Sequence, residues 1–218
     1  MTKLICGIDD AGRGPVIGPM VLAGVLIEES KQEDLKSIGV KDSKLLTPRK
    51  RFFLYGKIKK FVKAYKIVKA EPYEIDKLNH HGINLNYLEA LKAAEIINYL
   101  KPEKIFLDCP SPNLKAWKND VYENIKHKNV ELVVEHKADQ KFPIVSAASI
   151  IAKVIRDYEI KKIKEKIGVD FGSGYSSDVR TIEFLKHNID KYPEIFRKTW
   201  STYSNKKEGK KQKSLKEF

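Results

Sequence analysis

Residues 3–28, KLICGIDDAGRGPVIGPMVLAGVLIE, contain the pattern that decides the fold. Two apolar runs within this stretch, 3–9 and 20–28, have the composition of buried β-strands. The Gly- and Pro-rich segment 11–19 lies between them and predicts a turn. The chain is therefore expected to open with two buried strands joined by this turn.

Strand and helix patterns alternate along the rest of the chain. The Thr47-Pro48 pair is typical of an N-cap followed by proline at the first helical position. Further strands are predicted at 62–70, 104–109 and 130–136, and helices at 48–61, 84–100 and 143–167. This alternation predicts an α/β fold with a mixed central sheet flanked by helices.

The bulk composition describes a basic globular chain. Its 218 residues suit one domain, or one domain with a small appendage, and 42% of them are hydrophobic. Lys and Arg number 42 against 29 Asp and Glu, which gives a net charge of +13. Such a charge is typical of a protein that meets nucleic acid, but also of a lysine-rich thermophile surface, and composition alone does not decide between them.

Cysteine usage and hydropathy bear on the compartment. Cys6 and Cys109 lie within apolar runs and are expected to be buried thiols in a reducing compartment. No segment has the length and apolarity of a membrane span, and charged residues interrupt the apolar run within 1–30. We expect a cytoplasmic protein that has no membrane contact.

Aspartates end three predicted strands. Asp9 and Asp10 follow the first strand, Asp108 ends the strand at 104–109, and Asp139 comes shortly after the strand at 130–136. Ligand sites in α/β proteins gather where strands end. Converging carboxylates repel one another unless a cation lies between them, and Mg²⁺ prefers carboxylates together with water and phosphate oxygens. The pattern indicates a metal site of the kind that cleaves phosphodiesters.

Each aspartate also has an ordinary structural interpretation. Asp108 could cap the helix after DCPSP, and Asp10 could start a turn. Adjacent residues of a regular strand point to opposite faces, so Asp9 and Asp10 share a site only if the strand ends or kinks between them. Position by position the structural interpretation is favoured, whereas the three strand ends together favour a metal.

Two further patterns suit a phosphate backbone. The Gly12-Arg13-Gly14 turn offers backbone N–H groups, since glycine has no side chain to hold a ligand off. On the predicted helix from residue 143, hydroxyls and cations recur at helical spacing in one row: Ser146, Ser149, Lys153 and Arg156. An ordinary tight turn and an ordinary solvated helix face explain these patterns equally well.

Five motifs, taken in order, resemble ribonuclease HII, the type 2 ribonuclease H, in its archaeal form. They are GIDDAGRGPVIGP (7–19), VKDSKLL (40–46), IFLDCP (105–110), EHKADQKFPIVSAASIIAKVIRD (135–157) and GSGYSSD (172–178). The resemblance runs from about residue 4 to residue 200. It implies a ribonuclease H-like core at 1–167, a helical C-terminal part at 168–204 that completes the substrate cleft, and a flexible basic tail at 205–218.

The resemblance also implies an activity. Enzymes of this family hydrolyse the phosphodiester on the 5′ side of a ribonucleotide, in RNA/DNA hybrids or in duplex DNA, with Mg²⁺ or Mn²⁺. The products are 5′-phosphomonoesters, and the work is ribonucleotide excision and RNA primer removal. We expect a monomer that acts by two-metal catalysis.

The family's catalytic acids and metal ligands map onto Asp9, Asp10, Asp108 and Asp139. Asp157 competes for the fourth position, but it lies 18 residues beyond Asp139, about five helical turns. We interpret it as a structural partner of the adjacent basic row. The family usually has glutamate where this chain has Asp10, which keeps the charge but is one methylene shorter.

Substrate contacts follow from the same resemblance. The ribonucleotide sensor maps onto Gly12, Arg13, Gly14 and Tyr175. The turn and the tyrosine hydroxyl are expected to contact the 2′-OH, and the tyrosine ring to stack on the next sugar. Without the resemblance, Tyr175 would be interpreted as an ordinary aromatic residue in a turn. Further contacts to the substrate backbone are expected from Asp42, Ser43, Lys44, Ser146, Ser149, Lys153 and Arg156.

The last residues carry a separate pattern. Residues 205–218, NKKEGKKQKSLKEF, hold six lysines and two glutamates. Gln212, Leu215 and Phe218 fit Q-x-x-L-x-x-F, which resembles the peptide that docks on the PCNA sliding clamp. Such a peptide forms a helical turn whose apolar side chains enter a pocket of the clamp. A PCNA-type clamp is therefore an expected partner, besides RNA/DNA hybrid and ribonucleotide-containing duplex DNA.

Two other interpretations compete with this one. Ribonuclease HIII prefers longer hybrids and normally carries an N-terminal extension, whereas this chain reaches its first aspartate pair at residue 9. A non-catalytic nucleic-acid-binding protein on a degenerate nuclease fold is supported only by Asp10. The presence of all four carboxylates argues against it.

Overall fold

A mixed five-stranded sheet forms the centre of the molecule. The computed structural model describes residues 2–40 and 43–214, with side chains as far as 207. The strands are β1 (Leu4–Ala11), β2 (Met20–Glu28), β3 (Ala64–Ala70), β4 (Lys104–Asp108) and β5 (Glu131–Glu135), in the order β3-β2-β1-β4-β5. β1 pairs antiparallel with β2 and parallel with β4, while β2–β3 is antiparallel and β4–β5 is parallel. The predicted mixed sheet is confirmed.

Helices cover both faces of this sheet. They are α1 (Gln32–Ser37), α2 (Pro48–Phe61), α3 (Pro72–His80), α4 (Leu85–Leu100), α5 (Leu114–Glu123), α6 (Ala138–Lys141), α7 (Pro143–Ile167), α8 (Val179–Asn188) and α9 (Ser201–Ser214). Single 3₁₀ turns occur at 29–31, 43–45 and 193–195. The predicted start of α2 is confirmed, because the Thr47 hydroxyl accepts a hydrogen bond from the Lys50 amide at 3.3 Å. Among the described residues, no helix is long and apolar enough to cross a bilayer.

Two glycines let helices approach the sheet closely. A Cβ on Gly7 of β1 would lie 2.5 Å from the carbonyl carbon of Ile144, on α7. On the opposite face, a Cβ on Gly24 of β2 would lie 2.2 Å from Ile96, on α4. The interior is therefore built on small residues at the crossing points, with α7 and α2 on one face and α4 and α5 on the other.

A third apolar cluster joins the C-terminal segment to the core. Phe171, Phe184 and Phe196 pack with Ile17, from the turn after β1, and with Ile160 of α7. A backbone bridge between Ile17 and Phe196 ties the two ends of the chain together. This segment matches the predicted helical part at 168–204, although the division into domains stays a prediction.

The end of the chain departs from its prediction. A flexible tail was expected from residue 205, but α9 continues through Ser214. Its first turn is anchored by Tyr203, whose ring lies 5.7 Å from that of Phe196, and the lysines that follow are good helix formers. Asp42, Leu215, Phe218 and the side chain of Gln212 lie outside the described part of the structure.

Candidate active site

The predicted acids meet in one cavity at the end of the sheet. Asp9, Asp10, Asp108 and Asp139 all line it. β1 and β4 run parallel, with Ile8 paired to Leu107, so that their C-terminal ends bring Asp9 and Asp108 to the same edge. Parallel β5 next to them leads into α6, which carries Asp139. The cavity is completed by Ala11, Gly12, Arg13, Gly14, Lys44, Arg51, Lys153, Arg156, Asp157 and Tyr175.

Asp9 and Asp10 reach this cavity without the expected break in the strand. β1 stays regular through Ala11, and Asp10 pairs with Leu22, so Asp10 does not start a turn. The pKa of Asp9 is influenced by a hydrogen bond with Ser149 of α7, and that of Asp10 by one with Glu89 of α4. The two aspartates therefore point to opposite faces of the sheet, as strand geometry requires, and the cavity extends around the strand end.

Asp108 and Asp139 are held by α6 and its surroundings. Asp108 accepts a hydrogen bond from the Ala138 amide at 2.7 Å, whereas Asn113 caps α5, so Asp108 is not the cap of that helix. Asp139 is only 2% exposed. One of its oxygens lies 3.4 Å from Lys44 Nζ, and the other, Oδ1, is buried without a hydrogen-bond partner. A buried carboxylate oxygen without a partner is rare in proteins and fits a bound cation.

Electrostatics favour a cation among these acids. Burial raises the pKa of Asp9, and the negative charge of Asp10 raises it further. Burial likewise raises the pKa of Asp108 and of Asp10, although Arg13 opposes the shift at Asp10. Removing an acid from water disfavours its charged form, and a divalent cation reverses that preference.

As they stand, no three acidic, histidine or cysteine side chains in the described part converge closely enough to bind one ion. Lysines lie among them: Lys44 contacts Asp139, and the charge of Lys153 acts on Asp9. The donor set therefore fits Mg²⁺ or Mn²⁺ in its chemistry, because hard divalent cations prefer carboxylate oxygens. Binding requires these side chains to turn toward a shared ion.

The predicted row of hydroxyls on α7 is buried. Ser146 is 4% exposed and Ser149 is fully buried. Ser146 donates to the Asp139 carbonyl, and Ser149 shares a hydrogen bond of 2.8 Å with Ser43. The expectation that these two serines contact a phosphate directly is therefore wrong for this structure. They join α7 to its neighbours, because the first half of α7 is covered on nearly every side.

The cations of that row have different surroundings. Lys153 lines the cavity and donates to Ser43 and Ser149 at 2.6 and 2.8 Å. Arg156 is 6% exposed, donates to the Ser173 carbonyl at 2.7 Å and lies 5.0 Å from the centre of the Tyr175 ring. Arg156 thus supports Tyr175, which lines the cavity.

Asp157 is paired with Arg51 of α2 at 3.0 Å. The pairing agrees with a structural role, although the partner comes from α2 and not from the row on α7. Asp157 also lines the cavity, where it lies at the rim.

The Gly12–Gly14 turn is held from behind by the C-terminal segment. Arg197, which is fully buried, donates to the carbonyls of Gly12, Arg13 and Gly18 at 2.6, 2.7 and 3.0 Å. The Trp200 indole donates to the Gly14 carbonyl at 3.1 Å. Burial lowers the pKa of Arg197 to about 9, so it keeps its charge at neutral pH. These bonds occupy the carbonyls of Gly12, Arg13 and Gly14 and hold the turn where it lines the cavity.

The Arg13 side chain, which is about one third exposed, reaches across to α4. It forms an ion pair with Glu89 and donates to Asn86 at 2.5 Å, both on α4. Glu89 is 2% exposed, and its pKa is raised by burial and by the nearby Asp10. The sequence motifs do not predict a role for Glu89, Arg197 or Trp200. A glutamate on the otherwise apolar face of α4 was a weak signal for the first, and we find none for the others.

Comparison with known proteins agrees with this geometry. The family model described as Ribonuclease HII matches residues 6–203. Ribonuclease HII of Methanosarcina barkeri is 41% identical over 94% of this chain and 96% of its own length. That of Pyrococcus furiosus is 46% identical over 91% of this chain and 88% of its own length.

Solved structures show the same relationship. The crystal structure of ribonuclease H2 from Pyrococcus horikoshii has a TM-score of 0.86 and 44% identity, covering 94% of this chain and 97% of that one. A structure of the PCNA:RNase HII complex from Archaeoglobus fulgidus has a TM-score of 0.83 and 42% identity, with 93% and 96% coverage. Bst-RNase HIII in complex with Mn²⁺ shares the fold, with a TM-score of 0.79, at only 17% identity over 94% of this chain and 69% of that one. The chain therefore belongs to the ribonuclease HII family, the type 2 ribonucleases H, and is an endonuclease.

Proposed function

We propose that this endonuclease hydrolyses the phosphodiester on the 5′ side of a ribonucleotide, in RNA/DNA hybrids or at ribonucleotides embedded in duplex DNA. The observation that carries the proposal is the cavity where Asp9, Asp10, Asp108 and Asp139 lie beside the Gly12–Gly14 turn. Such an activity would serve ribonucleotide excision and RNA primer removal.

The four aspartates would hold Mg²⁺ or Mn²⁺. When bound, such ions supply an activated water and stabilise the leaving oxygen, which leaves a 5′-phosphomonoester. The protein's own contribution is a fixed set of carboxylates: Asp108 is oriented by the Ala138 amide, and Asp139 has a buried oxygen that needs a partner. Lys44 and Lys153, which line the same cavity, provide positive charge for the scissile phosphate.

Recognition of the ribonucleotide is assigned to the turn and Tyr175. Gly14 lies beside the tyrosine, since a Cβ on Gly14 would be 3.7 Å from the Tyr175 ring. The turn's amides and the tyrosine hydroxyl can therefore act on one sugar, where the 2′-OH distinguishes RNA from DNA. Glu89, Arg197 and Trp200 hold the turn in place, Glu89 through its ion pair with the Arg13 side chain.

A sliding clamp is proposed as a partner. The support is the Q-x-x-L-x-x-F pattern at Gln212, Leu215 and Phe218, together with the relative from A. fulgidus that was solved in complex with PCNA. The lysines of 205–218 would also keep this end of the chain near DNA.

A duplex with one ribonucleotide tests the catalytic proposal. The enzyme is incubated with this duplex, with the all-DNA duplex of the same sequence and with an RNA/DNA hybrid, each with Mg²⁺, with Mn²⁺ and with chelator. We expect metal-dependent cleavage 5′ to the ribonucleotide and none of the all-DNA duplex. Cleavage that is independent of the ribonucleotide would refute the proposed specificity, and cleavage in chelator would refute the role of the metal.

A further inference from the structure

A groove between α2 and α7 adjoins the catalytic cavity. We call it the α2–α7 groove; its apolar lining is Pro48, Phe52, Tyr55, Val154, Ile155 and Tyr158. Phe52 is 68% exposed and Tyr158 is 54% exposed. Large aromatic side chains this exposed, lining one groove, indicate a surface that contacts something outside the protein.

The exposed surface of α2 outside this groove is strongly basic. The helix holds six cationic residues and no acidic one: Arg49, Lys50, Arg51, Lys57, Lys59 and Lys60. Lys50 and Lys57 lie over the Phe53 ring, 5.3 and 4.9 Å from its centre. The nearby acids on α7 are already paired, Asp157 with Arg51 and Glu159 with Lys162. This surface therefore carries positive charge that few nearby acidic side chains neutralise.

The groove and the cavity adjoin at the Arg51–Asp157 ion pair. Asp157 lines both, and its partner Arg51 reaches the cavity from α2. Lys57 lies six residues beyond Arg51, which is about 9 Å along a helix axis. For a duplex that runs parallel to α2, phosphates of one strand are about 3.4 Å apart along this direction, so the distance corresponds to roughly three nucleotides.

We propose that the α2–α7 groove and the basic face of α2 form a second contact surface for the substrate duplex, which binds its backbone a few base pairs to one side of the cleaved bond. The lysines contact phosphates, and the aromatic rings contact the apolar faces of the sugars between them. Protein–protein interfaces are depleted in lysine, whereas protein–DNA interfaces are strongly positive. The charge of α2 therefore selects a duplex over a protein as the occupant. The assignment rests on the proposed function, since it takes the same substrate.

Two double variants test the surface. Lys57→Glu with Lys60→Glu reverses charge on the exposed face of α2, and Phe52→Ala with Tyr158→Ala removes the rings of the groove. The matched control is Lys115→Glu with Lys118→Glu on α5, on the opposite face of the sheet. All these side chains are exposed, and melting temperatures close to wild type check that each variant is folded.

Binding is measured in Ca²⁺, without turnover, on three ribonucleotide-containing duplexes: one with long arms on both sides, and two with one arm cut back close to the ribonucleotide. On the long duplex we expect the lysine variant to bind about tenfold more weakly at low salt. Its affinity should also depend less steeply on salt concentration, by the amount that corresponds to the loss of about two phosphate contacts. The aromatic variant should also bind more weakly, and the control should not. One of the two shortened duplexes lacks the arm that reaches α2. On that duplex, the variants should bind with the same affinity as wild type.

If the lysine variant and the aromatic variant both bind the long duplex as tightly as wild type, the proposal is overturned. A loss that is the same on all three duplexes would also overturn it, since that would indicate damage to the cavity itself. A loss in the lysine variant alone would exclude the apolar groove as a contact. If the wild-type enzyme cleaves no ribonucleotide-containing duplex, the proposed function fails. If it does cleave such a duplex and both double variants bind as tightly as wild type, only this inference fails.

Discussion

Gly7→Ala tests how the fold positions the catalytic cavity. Gly7 lies in the middle of β1, two residues before Asp9, and α7 crosses it at Ile144. A Cβ at this position would lie 2.5 Å from the carbonyl carbon and oxygen of Ile144 and 2.7 Å from the amide nitrogen of Val145. All three atoms belong to the backbone, so no side chain can rotate away to make room.

The size of the effect follows from these distances. Ordinary contacts begin at 3.4 Å, so α7 and β1 must separate by nearly 1 Å. Overpacking costs about 1–3 kcal/mol, and we expect the upper end because a whole helix must move. For a chain of this size, each kcal/mol lowers Tm by about 2–4 °C, which predicts a fall of about 6–12 °C. The shift also moves Lys153 of α7 away from the acids of β1, and a misplacement of about 1 Å can lower kcat about 100-fold.

Calorimetric melting and cleavage of a short duplex measure the two consequences. The control is Gly56→Ala on α2, where no atom lies within 4 Å of the added carbon. Replacing an exposed helical glycine should raise stability by about 0.5–1 kcal/mol and leave cleavage unchanged. A Gly7→Ala variant that keeps the wild-type Tm and kcat would show that α7 does not depend on this close approach.

Four shorter predictions concern the site and the end of the chain. Asp108→Asn should abolish cleavage and retain duplex binding, because it removes a metal-binding charge and keeps the shape; near-normal turnover in Mg²⁺ would exclude it as a ligand. Burial raises the pKa of Asp9, so the metal-free folded protein binds a proton more tightly than the unfolded chain and loses stability as pH rises through the raised pKa. Melting with and without Mg²⁺ should therefore show a larger metal-induced rise in Tm at neutral than at acidic pH, and an equal rise would contradict this. Tyr175→Phe should weaken preference for a ribonucleotide at a junction by about 1–3 kcal/mol, since the ring stays and the hydroxyl contact is lost; an unchanged preference would make Tyr175 a packing residue. Leu215→Ala with Phe218→Ala should abolish calorimetric binding to the cognate clamp and leave clamp-free cleavage intact, whereas unaltered clamp binding would make the pattern a chance match.

Sequence reasoning succeeded where local chemistry decides the structure. Apolar runs, and alternation at 62–70, predicted each strand of the described residues. Thr47-Pro48 predicted the start of α2, because capping acts within one turn. The strand-end acids predicted the cavity for a topological reason: parallel strands end at the same edge.

The rest depends on parts of the chain that are distant in sequence. Helical spacing identified the row of Ser146 and Ser149 but could not show that other elements cover that face. The same spacing gave no indication that Glu89 binds Arg13, or that Arg197 supports the turn after β1. Each of these contacts forms only when separate elements meet, and no local pattern encodes such a meeting.

The bonds from Arg197 to the Gly12–Gly14 turn have a consequence for synthesis of the protein. Arg197 and Gly12 are 185 positions apart. At about 5–20 residues per second, a ribosome needs roughly 10–40 s to travel between them. During that interval the turn lacks the donors that hold its carbonyls, so the nascent chain carries Asp9 and Asp10 without a completed cleft. We therefore expect a chain that ends before Arg197 to lack nuclease activity, because its turn has no partner for these carbonyls.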